Sequence, residues 1–214
     1  MIHHYINLVC WREMLEMYEP DRDLVWIDSV SMRKLVAKYR QNAQFRPGTS
    51  VLQAIGPETK NGGSWFFLTA GPVAGLPNDI QFELPIMDAI SIPDDLAQVV
   101  GSLASGTRVA IGISAPKQNR LAAALHDLRP DLEYHCLGAA VSAYGENENS
   151  SSRRSRLSGS GIEWVKFLVT SPKRTWSKIE VTLKELWLVR THSPSRIAFE
   201  KFSHICAPAQ PLTK

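Results

Sequence analysis

Short apolar runs of strand length alternate along this chain with stretches of helical period, and that alternation constrains the fold more than any other feature. "YINLVC" and "DLVWI" (Asp23 to Ile27) are the first two runs. "GGSWFFLTA" is bounded by Gly62, Gly63 and the Gly71-Pro72 turn. "DIQFELPI" is interrupted by Pro85, which suits an edge, and "TRVAIGI" and "EYHCLG" complete the set. Between the runs, Met32, Leu35, Val36 and Tyr39 recur at helical spacing around Arg33, Lys34 and Lys38, and "TSVLQAI" reads as a short helix. Pro93, Asp94 and Asp95 open another helix, whose stripe is Leu96, Val99, Val100 and Leu103. A further one runs from Pro116 to about Leu128, with Leu121, Leu125 and Leu128 on one face. Strands alternating with helices of this length form a mainly parallel sheet covered on both faces. The fold class expected is therefore α/β, with a Rossmann-like sheet flanked by helices.

The pattern changes at Gly145. Residues 146–160, "ENENSSSRRSRLSGS", are polar and without periodicity, and read as a mobile loop between a core of residues 1–145 and an appendage of residues 161–214. The appendage opens with two helical stretches, "GIEWVKFLVTS" and "PKRTWSKIEVTLKELWLVR". Trp176, Ile179, Leu183, Leu186 and Trp187 share a face of the second, and the last twenty or so residues read as an irregular tail. From Pro172 onward there are eight basic against three acidic side chains; the rest of the chain is slightly acidic. The stripe and charge suit docking on the core with the charges solvated. They also suit a helix lying on an anionic membrane with its tryptophans at the interface.

Several classes are set aside. No cationic and then apolar segment opens the chain, so secretion is not expected, and no apolar run approaches the roughly 20 residues that span a bilayer. Cys10, Cys136 and Cys206 are odd in number and widely spaced, which reads as buried or incidental thiols without disulfide or metal. His3-His4 lack partners that would make them a chelate. No cofactor or metal is expected: neither a GxGxxG nor a P-loop is present, and no DxD-like pair or His/carboxylate cluster offers an obvious diphosphate-bound cation site. Aromatic and basic residues interleave in one helix alone, so no nucleic acid is expected.

The most suggestive stretch is "GISAPKQN", residues 112–119. A helix that starts directly after a parallel strand points its free N–H groups at the carboxyl edge of the sheet, where α/β proteins bind ligands. Lys117 adds a cation there and Gln118 an amide. An ordinary strand-to-helix turn with two solvated polar residues is the alternative. Asp28, after the second strand, likewise has two readings: a helix N-cap before "SVSMRKL", or a carboxylate with chemistry to do.

"VAIGISAPKQN" resembles the "VGLGxPKQE" segment of the WecG/TagA/CpsF family of bacterial glycosyltransferases. "LGAAVSAYG" is similar to that family's "GVGAAFDFLAG", and "GIEWVKFLVTSPKR" to its "GLEWLYRLLxEPxR". "DLVWIDS" sits where the family has a strand ending in Asp-Gly, "FRPGTSVL" resembles "RxxGxDL", and "YINL" resembles "TxN". The resemblance runs from about Asn7 to Arg174. It implies a GT-E type fold and a metal-independent, inverting transfer of an N-acetylmannosamine-type or related sugar. The donor would be a UDP-sugar and the acceptor a polyprenyl-diphosphate-linked sugar, in exopolysaccharide, teichoic acid or related synthesis. Carried over residue by residue, Asp28 is the base, Asn7, Arg46 and Gln118 shape the pocket, and Lys117 and Arg174 hold charge. It implies a cytoplasmic protein, peripheral at the inner face of the bacterial membrane through the basic C-terminal helix; an oligomer is possible. Ser29 stands where the family has Gly, and Asn119 where it has Glu. A catalytically weakened member that binds a nucleotide sugar or scaffolds a membrane glycan assembly is the alternative.

Overall fold

The computed structural model describes residues 1–40, 44–48, 50–52, 55, 64–73, 75–84, 92–143 and 172–206. The chain divides into two compact units. One comprises Met1–Tyr5, Tyr18–Trp26 and Arg46–Glu146; the other comprises Ile6–Met17, Ile27–Phe45 and Asn147–Lys214. The second unit therefore joins two early segments to the C-terminal part of the chain. The loop expected at residues 146–160 and the helix expected at "GIEWVKFLVTS" lie outside the described residues.

Six strands form one parallel sheet: β1 (Ile2–Ile6), β2 (Asp23–Ile27), β3 (Trp65–Thr69), β4 (Gln81–Glu83), β5 (Arg108–Gly112) and β6 (Glu133–Cys136). Their order is β2-β1-β6-β5-β3-β4, so β4 is at an edge, as Pro85 suggested. The α/β class read from the alternation is the one observed. Register is set by the buried faces: His3 pairs with His135, and Phe66 with Val109. One sheet face carries Ile2, Phe66, Leu68, Val109, Ile111 and Tyr134. Two helices cover it, α3 (Asp94–Ser102) with Leu96 and Val100, and α4 (Lys117–Leu128) with Leu121 and Leu125. The ends of these helices are closed by side chains, since their last carbonyls lack intrahelical donors. The Arg129 guanidinium donates to the carbonyls of Val100, Gly101 and Leu103 at 3.0, 2.7 and 3.0 Å. The Tyr134 hydroxyl donates to those of Leu125 and Arg129 at 2.9 and 3.1 Å.

The other unit contains α1 (Trp11–Met17), α2 (Val30–Val36), α5 (Pro172–Thr191) and α6 (Ser193–Ile205). The helix α6 corrects the sequence reading, in which the last twenty or so residues were an irregular tail. Phe199, Phe202 and Cys206 recur on one face, and all three are buried. Trp11 meets Phe199 edge-on at 5.0 Å and Phe202 at 5.8 Å. Arg40 closes the helix end by donating to the carbonyls of His204 and Cys206, both at 2.6 Å. Burial against α1 stabilises a segment whose own propensity signals no helix. On α5 the expected stripe is split: Ile179 and Leu186 are half-buried, whereas Trp176, Leu183 and Trp187 are each more than 60 % exposed. Cys10, Cys136 and Cys206 are free and buried, in line with the sequence reading. No helix among the described residues is long and apolar enough to cross a membrane.

The docking of α6 is testable. Phe199→Ala is expected to cost about 3–5 kcal/mol in urea denaturation, while Ile197→Ala, on the exposed side of the same helix, stays within about 0.5 kcal/mol. Equal effects would mean that α6 is not held through Phe199.

Candidate functional site

In the unit that holds the sheet, the strand β5 leads through residues 113–116 into α4. Two glycines let this turn interlock with the end of β6. A Cβ on Gly112 would lie 2.8 Å from the Cβ of Val141, in the 3-10 turn Gly138–Ala143. Gly138 has φ +58°, a conformation L side chains rarely adopt, and a Cβ there would come within 3.3 Å of Gln118 Oε1. The two polar residues that open α4 therefore part company. Lys117 is exposed, whereas Gln118 is 3 % exposed and packs against Gly138. Gln118 Oε1 is buried without a hydrogen-bond partner. That is a costly state for a carbonyl oxygen, and it favours an incoming N–H or O–H donor. The ordinary-turn alternative, with both residues solvated, does not describe Gln118.

In the other unit, Asn7 and Asp28 follow β1 and β2 and lie side by side: the Asp28 N–H donates to the Ile6 carbonyl at 2.9 Å. Asn7 Oδ1 accepts from the Val9 N–H at 2.9 Å and faces the Cys10 thiol at 3.7 Å, so part of its role is to form this turn. Burial pushes the Cys10 thiol up to about 11, and the Asp28 carboxylate adds to the rise. The capping alternative for Asp28 is resolved in favour of its neighbour. Ser29 is the N-cap of α2, its hydroxyl accepting from the Met32 N–H at 3.2 Å.

Arg46 belongs to the sheet unit, with its guanidinium 5.1 Å over the Trp26 ring. Arg174 falls in the first turn of α5, and its side chain lies outside the described residues. The expected set is thus seen as pairs: Asn7 with Asp28, Lys117 with Gln118, and Arg46 on an aromatic ring.

Sequence reasoning missed a cluster toward the amino end of the strands. His3 and His135 face one another across β1 and β6 with rings stacked at 4.4 Å, tilted by 13°. Their Nε2 atoms lie 2.9 and 3.0 Å from Glu133 Oε1. His135 Nε2 is close to that carboxylate but not aligned on it, so this buried atom has no hydrogen-bond partner. Tyr5, Trp26 and Trp65 complete the surroundings. Two histidines and a carboxylate with ligand atoms within 4.8 Å of one another invite a metal, yet the geometry does not fit one. A metal bound at an imidazole nitrogen lies in the ring plane at about 2.1 Å, and nearly parallel stacked planes share no such point. The Trp26 N–H also donates to His3 Nδ1 at 3.0 Å, which puts the His3 proton on Nε2, the atom a metal would need. The cluster is a carboxylate held between two buried imidazoles. The signal was present in alternation, since Glu133 and His135, like His3 and Tyr5, are two residues apart and so share a face.

Burial holds His135 down at about 4, only partly offset by Glu133. The closeness of His135 and His3 holds the Glu133 carboxyl below the usual carboxylate range. No family model, curated protein or solved structure matches the chain.

Both shifts have the same sign in stability. An unfolded His135 takes its proton near 6.5 and the folded one near 4, so stability is fully present above about pH 6.5 and is lost as pH falls to about 4; Glu133 extends the loss below that. The His135 share is on the order of 3 kcal/mol. Urea midpoints measured from pH 7.5 to 4 are expected to fall more steeply for the native protein than for His135→Gln. Parallel curves would mean that His135 is not held neutral.

Proposed function

We propose that the chain is an inverting glycosyltransferase that moves an N-acetylmannosamine-type or related sugar from a UDP-sugar to a polyprenyl-diphosphate-linked acceptor during surface polysaccharide synthesis. The observation that carries this reading is the arrangement at Asp28. The carboxylate follows a parallel strand, where α/β proteins bind ligands, and Ser29 rather than Asp28 caps the next helix. The parallel sheet and the helix N-terminus after β5 further support it. In the reaction, the Asp28 carboxylate takes the proton of the acceptor hydroxyl as its oxygen attacks the anomeric carbon from the face opposite the nucleotide. The anomeric C–O bond to the diphosphate breaks, UDP leaves with the bonding pair, and configuration inverts. Lys117, exposed at the opening of α4, balances charge that develops on the diphosphate, in place of a metal. The buried Oε1 of Gln118 accepts from a donor hydroxyl or imide N–H.

The exposed Trp176, Leu183 and Trp187 of α5, among basic residues, support peripheral attachment to the inner face of the cell membrane. This brings the enzyme to its lipid-linked acceptor.

UDP is expected to raise the melting temperature of the full chain, and less so in Lys117→Ala and Gln118→Ala. Asp28→Asn is expected to lose at least about a hundredfold in turnover while UDP binding is retained. Full turnover in Asp28→Asn removes it from the mechanism; UDP binding without turnover in the native protein points to a nucleotide-sugar-binding scaffold instead. For the membrane, Trp176→Ala together with Trp187→Ala is expected to weaken sedimentation with anionic vesicles. Unchanged sedimentation would discard the helix as the anchor.

A further inference from the structure

A second buried chain of polar groups bears on the turn that opens α4. Asn119, next to Gln118, is 2 % exposed, and its Nδ2 lies 2.8 Å from Nδ1 of His4. His4 on β1 is completely buried, and its Nε2 lies 3.2 Å from Oδ1 of Asp23, where β2 begins. Asp23 is already well supplied. Arg22 donates to both its oxygens at 2.9 and 3.1 Å, and the Glu19 N–H donates to Oδ2 at 2.9 Å. Burial alone would raise the Asp23 carboxyl, but the donors around it outweigh that and hold it at about 2. Burial keeps His4 below its ordinary value. A neutral His4 has one proton, and the carboxylate acceptor at Nε2 claims it. Nδ1 is then an acceptor, and the Asn119 carboxamide supplies the N–H. The chain of donors runs in one direction, Asn119 to His4 to Asp23.

This explains why residue 119 is a carboxamide. A carboxylate there has no proton for Nδ1, so two acceptors would face each other unless His4 took up a second proton and became a buried cation. His4 and Asn119 are a matched pair. Asn119 Oδ1 and Gln118 Oε1 are both buried without a hydrogen-bond partner. The His4 bond is therefore what orients the Asn119 amide.

We infer that Asn119 is a positioning residue: through its bond to His4 it ties the first turn of α4 to β1, and so sets how Gln118 rests against Gly138 and presents its amide. The inference rests on the proposed reading in so far as that turn receives the UDP donor.

The test uses the full chain with nitrogen-15 NMR of the histidine rings and of the Gln118 carboxamide, alongside a UDP titration. In the native protein His4 is expected to carry one proton, on Nε2, at pH 7, and to stay so through the ordinary histidine range. A doubly protonated His4, which needs the Asn119 amide turned over, would overturn the inference without any variant. Asn119→Asp is expected to make His4 doubly protonated at pH 7, and Asn119→Ala to leave it neutral. Both should move the Gln118 carboxamide resonances, and Asn119→Ala should weaken UDP about threefold to tenfold. Unmoved Gln118 resonances, or native UDP affinity in Asn119→Ala, defeat the positioning role and leave the functional reading standing. If the native chain binds no UDP while His4 and Gln118 respond as expected, the functional reading falls and the positioning role stands.

Discussion

A strand inside a parallel sheet has neither face in water, and β1 carries a histidine on each. Much of the chemistry of the sheet unit follows from that constraint. Burial disfavours charge on His4 and on His135, the partner of His3 across the strands, and each imidazole nitrogen must then be matched as donor or acceptor. His3 spends its two on Trp26 and Glu133, and His4 on Asn119 and Asp23. These partners come from β2, β6 and α4, so two adjacent side chains tie the first strand to the elements around it. Burial outweighs the carboxylates beside them, so both His4 and His135 are held below the ordinary histidine value.

The edges of the strands divide their labour in a similar way. At β2, it is the second residue past the strand that caps the helix: the Ser29 hydroxyl accepts from the Met32 N–H. At β5, Lys117 faces outward while Gln118 and Asn119 turn in, one toward Gly138 and the other toward His4. Adjacent residues at a strand-to-helix junction point in different directions, so a three-residue motif is not a three-residue site.

Much of the architecture was legible in the sequence, because hydrophobic period is a local property. The runs 23–27, 65–69 and 108–112 became strands, Pro116 sits at the start of a helix, and the Pro85-bounded run became an edge strand. The helix α6 was not legible. Phe199 and Phe202 are three residues apart in a segment with weak helical signals, and the helix is held by Trp11, far away in the chain. The histidine cluster was hidden for a different reason. At the chain's start, His3 and His4 have no neighbours in sequence that look like partners; Glu133 and His135 reach them only because β6 lies beside β1. The cap of α2 was not legible at the residue level: sequence offered Asp28, and the backbone angles place Ser29 there instead.

By itself the sequence determined the α/β class, the approximate elements, the buried free thiols and the positions where strands give way to helices. Period and turn chemistry act over a few residues and leave their mark there. Tertiary structure alone decided which polar side chains are buried, who their partners are and hence their protonation. Those depend on strand order and on desolvation, which no residue carries in its own neighbourhood of the chain. Asn119 shows the difference: by sequence one more polar residue in a strand-to-helix turn, by structure the donor that a buried histidine requires.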